Sequence, residues 1–325
     1  MVPQMSLLVL LVDLIDVIPG PASRGKRGRP PTYPERLFLK ALVIMLVRDV
    51  ATVDGLLAVL DQPTVEMRAL RERLTVDGRF PSRRTWERRL NALPDTLPSR
   101  IGCLGRYLVG RIDPWANGGR AVAIDSTVLH ARGGVWHKQH RDAGVVPHTS
   151  IDTEAGWTKS GWHGWVYGWK LHLVTTVAAA WIPLAAELTA ANTADNDPAP
   201  RLLDEVPPEA RVVLGDTHYN DPAVRDHCAG AGRLLVATRR GRYPHTDDGV
   251  EVRRVFHQLR SHAIENFNGH FKGIFDVHGS VPTRGLVRTR RFALGAVFVY
   301  QLTLLYRFEH HQDLRVGLKA FLKAA

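Results

Sequence analysis

Three acidic residues stand out by where they fall in the chain. Asp125 closes the run AVAID and Asp216 closes VVLGD, each after four small or apolar residues that read as a central strand. Glu265 lies in SHAIENFNGHFKGIF, where Ile264, Phe267, Phe271 and Ile274 recur at helical spacing and form a stripe bound for a core. The glutamate is one step off that stripe, in a row with Gly269 and Lys272. Two aspartates at the carboxyl ends of neighbouring strands, the rim where open α/β sheets place ligands, would repel unless protons or cations stand between them. Hard, oxygen-ligated Mg²⁺ or Mn²⁺ answers that charge better than zinc. Two such ions about 3.5 to 4 Å apart can activate a water and stabilise the leaving oxygen of a phosphodiester. Glu265, at the edge of a helix packed on the sheet, then supplies the third carboxylate. Alone, an aspartate after a strand is commonly a turn or cap residue, and a glutamate seven residues before a lysine is commonly a solvated pair. The conjunction of all three is what makes Asp125, Asp216 and Glu265 the expected catalytic and metal-binding set.

Those residues need a sheet to hold them. From Ala121 onward the chain is written in short apolar runs bounded by turn formers: AVAID, VYGWKLHLVTTV, IPLAAELTA, RVVLGD and RLLVATRRG. DPAVRDHCAGA, between the fourth and fifth, reads as a helix and makes that part β-α-β and parallel. In WVYGWKLHL the alternation assigns Trp165, Tyr167, Trp169, Leu171 and Leu173 to a packed face, and Lys170 and His172 to a charged one. Upstream the pattern is helical, in PERLFLKALVIMLV, VDGLLAVL, VEMRALRERL and PSRRTWERRLNAL, the last started by Ser82 as a cap. RIDPWANGGR breaks it. MSLLVLLVDLIDVI is not preceded by a positive residue and is interrupted by Asp13 and Asp16, so it reads as an amphipathic helix and not a targeting signal. FALGAVFVYQLTLLY holds Gln301 and Thr303 and is shorter than the ~18 residues of a membrane span, so it reads as a buried helix. The expected organisation is an N-terminal helix and basic linker (1–33), a helical DNA-binding module (34–115), an α/β catalytic domain (116–310) and a tail (311–325).

Four stretches carry a resemblance to a known family: AIDST with the first acid, GWVYGWKLHLVT, LGDTHYND with the second acid, and IENFNGHFK with the third. From about Ala121 to Tyr306 the chain resembles bacterial insertion-sequence transposases of the DDE superfamily. That resemblance implies a ribonuclease-H-like fold, a mixed sheet flanked by helices, behind the small all-helical module. It implies that Asp125, Asp216 and Glu265 hold two Mg²⁺ or Mn²⁺ ions for nicking at transposon ends and strand transfer into target DNA, by a homodimer on paired ends. In one branch of the family the last acid belongs to a tyrosine, arginine, glutamate, lysine signature on one helix. Glu265 and Lys272 match it, and Lys272 is then expected on a phosphate near the cut. The arginine position, four before the glutamate, holds Ser261, with Arg260 one place away, and the tyrosine position holds Gln258.

Composition agrees with a polyanionic partner. The chain carries 43 Lys+Arg against 32 Asp+Glu, a formal charge of +11 over 325 residues. Its two cysteines, Cys103 and Cys228, are far apart, which indicates neither a disulfide framework nor a zinc ribbon and suits a reducing cytoplasm. RGKRGRPP, residues 24–31, reads equally as a minor-groove hook or a basic linker. PSRRTWERRL sets Arg83, Arg84, Arg88 and Arg89 around Trp86 and Leu90, as a recognition helix or a solvated face would. TRGLVRTRR brings Arg284, Arg288, Arg290 and Arg291 toward the site, and Lys170 and Arg260 complete the expected DNA contacts. His137 and His140 are spaced like metal ligands but lack a completing set, so a flexible loop is expected there, while Trp157, Trp162 and Trp165 are expected in the core. Two other readings share these features: a DNA-binding protein without catalysis, and a same-fold nuclease that cuts without joining.

Overall fold

The computed structural model describes residues 6–22, 32–112, 121–161, 164–177, 180–237 and 258–325. The basic run 24–31 and Trp162 lie outside them. The chain begins with α1 (Leu7–Val17), started by the Ser6 hydroxyl accepting from the Val9 amide at 3.3 Å. It buries Leu8, Leu11, Val12 and Ile15. The two aspartates that interrupt its apolar run have partners on the next helices, α2 (Glu35–Val47), α3 (Val53–Leu60) and α4 (Val65–Arg73). Asp16 pairs with Lys40 of α2 at 2.6 Å, and Asp13 takes both ends of the Arg73 guanidinium of α4 at 2.5 and 2.8 Å. Ser82 caps α5 (Arg83–Ala92), whose Trp86 is fully buried edge-on against Phe38 at 5.2 Å. α6 (Leu97–Ile112) then leads toward the sheet.

Among the described residues, six strands form one sheet: β1 (Ala121–His130), β2 (Gly156–Ser160), β3 (Gly164–Thr176), β4 (Pro183–Ala190), β5 (Val212–Gly215) and β6 (Leu234–Ala237). β2 and β4 lie end to end along one edge of β3, antiparallel to it; β3 is antiparallel to β1; β5 and β6 follow in parallel. This is the expected mixed sheet, with β2 an addition that the sequence pattern did not indicate. Three differences from expectation matter. Asp125 is mid-strand and not at a strand end, because antiparallel pairing with β3 keeps β1 extended to His130 while the parallel ladder with β5 stops at Ala123↔Leu214. Both faces of β3 are buried, Lys170 (8 % exposed) and His172 (0 %) included. Trp165 is exposed, since the first residues of β3 run past the end of β1 and are flanked by β2 alone. The loop after β1 holds a short helix, α7 (Lys138–Asp142), just after His137.

The connections include α8 (Ala199–Asp204) and α9 (Pro222–Gly230), the latter crossing between the parallel strands β5 and β6. A π-helical turn (Ser261–Glu265) opens α10 (Asn266–Ile274), and Ile264, Phe267, Phe271 and Ile274 are all buried, as their spacing foretold. α11 (Leu286–Glu309) is buried almost all round, and α12 (Leu318–Lys323) packs on α10. Among the described residues no helix is long and apolar enough to cross a membrane.

The helical module and the sheet share one hydrophobic core running from Leu8 to Ala325. α6 lies directly on β4: a Cβ on Gly105 would stand 2.4 Å from the Pro183 carbonyl, so only glycine permits that approach. Gln301 of α11 pins the junction, its amide donating to the carbonyls of Ile101 (2.9 Å) and Pro183 (2.8 Å). Removing Trp86 should test how far the module depends on its own core. Trp86→Ala is expected to cost about 3–5 kcal/mol in urea unfolding, against no more than about 0.5 kcal/mol for the exposed Arg84→Ala.

Candidate active site

The parallel ladder sets β1 and β5 in a fixed offset, Ala121↔Val212 through Ala123↔Leu214, and the same offset carried two residues on brings Asp216 beside Asp125. Asp216 follows β5 directly and accepts from the His218 amide at 2.8 Å, capping a short 3-10 turn (Thr217–Tyr219), so it is both a turn residue and a site residue. The third acid arrives through an arginine. Arg260 reaches Glu265 at 3.1 Å with one guanidinium nitrogen and Asp125 at 3.9 Å with the other. The turn between them is π-helical, with five residues spanned per hydrogen bond in place of four, and this returns the residue five before Glu265 to the glutamate's side. A displacement by one place in the sequence is thus absorbed by one extra residue in the turn. Arg260, expected on DNA, here bridges two carboxylates, its side chain 14 % exposed beside them.

Burial pushes the Asp125 carboxyl up to about 7; the Arg260 charge opposes this, while Asp216 and Asp195 add to it. Asp195 was not foreseen. It takes the Ser126 hydroxyl at 2.7 Å and the Lys170 ammonium at 3.0 Å, and Lys170 also donates to the Thr193 carbonyl. Lys170 is therefore buried in an internal ion pair. His172 beside it bonds Thr189 at 2.8 Å, and desolvation depresses its pKa to about 4, so it is neutral.

Tyr219 was also missed. Its ring lies over Gly215, where a Cβ would come within 2.9 Å, and its buried hydroxyl has no hydrogen-bond partner among the described residues. Burial raises its pKa well above 10, with Asp125, Asp195 and Asp216 all acting in the same direction. A phenol buried in LGDTHYND, three residues after an acid, carried no spacing signal; only packing brings it to the carboxylates.

Whether this donor set suits divalent cations follows from its charge. A desolvated carboxyl held up by two neighbouring acids is a site short of positive charge, and oxygen-only donors suit Mg²⁺ or Mn²⁺. Among the described residues no three acidic, His or Cys side chains already stand in metal-ligating positions, and Arg260 occupies the gap between Asp125 and Glu265. The chemistry fits; ligation requires Glu265, 54 % exposed at its side chain, to leave the arginine.

The remaining expected contacts are spread out. Lys272 is half-buried, its pKa lowered by desolvation, and makes no ion pair among the described residues. Arg83 is engaged by Asp54 (2.6 and 2.9 Å) and Glu87, Arg89 lies over the Phe38 ring at 4.9 Å, and Arg84 and Arg88 are exposed. Arg288 is exposed, whereas Arg291 is buried against Asn91 and Ala51.

Residues 116–302, more than half of the chain, match the family described as "Transposase DDE domain". The chain belongs to this family. Its members are enzymes that cut DNA and transfer strands. Similar solved structures include "Mos1 transposase paired-end complex with left transposon end" (15% identity, 88% of this chain and 80% of that chain covered, TM-score 0.24). Another is "Crystal structure of a pre-cleavage Mos1 transpososome" (16% identity, 89% and 80% covered, TM-score 0.23). No curated protein matches.

The raised Asp125 pKa has a sign that can be measured. Between about pH 4 and 7 the folded state holds a proton the unfolded state has lost, so stability contributed by this group falls as pH rises through about 7. Without divalent ions, Asp125→Asn should raise the melting temperature most at pH 8 and by clearly less at pH 5, where only the first part of the loss has accrued. An equal shift at both pH values would contradict the burial argument.

Proposed function

We propose that this transposase nicks DNA at the ends of its element and joins them to target DNA, with Asp125, Asp216 and Glu265 as its metal-holding carboxylates. The observation that carries the reading is the Arg260 bridge, which holds the helical acid on the same side of the sheet as Asp125, next to the strand that delivers Asp216. Divalent cations held there would supply a polarised water and neutralise charge on the phosphodiester. The chain's own groups do the rest. Arg260 restrains Glu265 and offsets the charge of Asp125 while cations are absent. Lys272, seven residues after Glu265 and roughly 10 Å along the helix, would hold a phosphate next to the cut. The Tyr219 hydroxyl, buried among the acids with a free proton, is placed to donate to a reacting oxygen. DNA is the partner, consistent with the +11 charge, and the family resemblance carries with it a homodimer on paired ends.

Supercoiled plasmid with Mg²⁺ or Mn²⁺ tests the assignment. Asp216→Ala and Glu265→Gln should each lower nicking by about 10²- to 10³-fold while DNA binding persists. Wild-type nicking by Asp216→Ala would remove the assignment. Tyr219→Phe should retain the fold and lower the nicking rate by about tenfold without changing the divalent-ion concentration for half-maximal activity. A change confined to that ion requirement would instead assign the phenol to metal binding.

A further inference from the structure

Away from the acids, three arginines line one cavity. It has a volume of about 400 Å³ and is walled by Arg132, Arg284 and Arg288, with Ala51, Thr52 and Ser150 among its other lining residues. No carboxylate lines it, and none of the three guanidiniums has an ion-pair partner among the described residues. Two are held in place by backbone: Arg132 donates to the Pro282 carbonyl at 2.6 Å, and Arg284 to the Thr149 carbonyl. Each such bond uses one of a guanidinium's five N–H groups and leaves the others available. The acids of this region are committed elsewhere, since Asp152 accepts from the Gly285 amide (2.8 Å) and Glu154 from the Leu286 amide (2.9 Å) at the start of α11. Next to this lining, Arg291 ties Ala51 to α11, and its pKa is lowered to about 10, chiefly by burial and also by the charge of Arg288.

We propose that this cavity binds one backbone phosphate of the DNA duplex and so clamps the DNA between the helical module and the catalytic sheet. The proposal rests on the transposase reading above. Ala51 and Thr52 come from the α2–α3 loop, two residues from the Asp54 that holds Arg83 of α5; Arg132 comes from the end of β1; Arg284 and Arg288 lead into and begin α11. The phosphate therefore touches both halves of the molecule at once. Arg132 is seven residues from Asp125, at most ~23 Å along an extended chain, which is roughly seven phosphates along one DNA strand at ~3.4 Å each. Planar guanidiniums converging from three segments suit a phosphodiester oxygen pair better than a lone lysine would.

The test uses the full chain and a mixed-sequence duplex, with affinity measured across a salt series. Arg284→Gln/Arg288→Gln should lower affinity by about tenfold at low salt, whatever the sequence, and reduce the slope of log K against log salt by about 1. The single variant Arg288→Gln, on an exposed helical position, guards against misfolding and should show part of the same change. Phosphate-ethylation interference should locate one blocking position that ceases to block in the double variant. A wild-type salt slope in both variants, with unchanged melting curves, would overturn the clamp. Asp216→Ala, with the cavity intact, should keep the wild-type slope. Loss of nicking in Asp216→Ala together with a wild-type slope in the arginine variants removes the clamp alone, and undiminished nicking by Asp216→Ala removes the catalytic reading alone.

Discussion

Like charges held close together in a place that water barely reaches are the constraint around which this molecule is arranged. Asp125 stands in the middle of the central strand with Asp216 one strand over and Asp195 nearby, and its carboxyl is pushed up to about 7 as a result. Such a group destabilises the fold when ionised unless positive charge is brought to it. The chain brings two kinds. Lys170, buried on β3, takes Asp195, and Arg260, at the head of the π-turn, stands between Asp125 and Glu265. On the proposed reading, a site that holds divalent cations during catalysis is thereby kept tolerable without them.

That arrangement explains several features which look unrelated along the chain. The π-turn before α10 puts Arg260 on the side of Glu265, which an ordinary helical turn from that position would not do. Gly215 leaves room for the Tyr219 ring, which packs against the end of β5. Gln301 and Gly105 lock α6 and α11 against β4, so the sheet edge cannot shift relative to the helices that cover it. Preorganisation of this kind is what phosphoryl transfer needs, since the chemistry is mostly positioning and charge neutralisation.

The basic surfaces form a second layer of the same logic. An acid-rich site repels DNA, and on the proposed reading Arg132 past the β1 end and Arg284 and Arg288 at the start of α11 supply attraction from a cavity whose lining holds no carboxylate. The helical module is part of this layer and not an appendage, because it shares the core of the sheet and contributes a wall of the three-arginine cavity.

Much of this was legible in the residues alone. Hydrophobic periodicity marked α2 to α5, α11 and the buried stripe of α10, and four apolar residues before each aspartate marked β1 and β5, because local burial patterns repeat with the period of the element that makes them. The three acids could be picked out in the same way. What periodicity does not encode is which side chains meet across elements. Only tertiary packing placed Asp125 mid-strand, paired Lys170 with Asp195, buried the Tyr219 hydroxyl among the acids, and let a π-turn carry Arg260 to Glu265. In each case the partner lies on a different segment, and the contact exists because the sheet register and helix docking bring the two together.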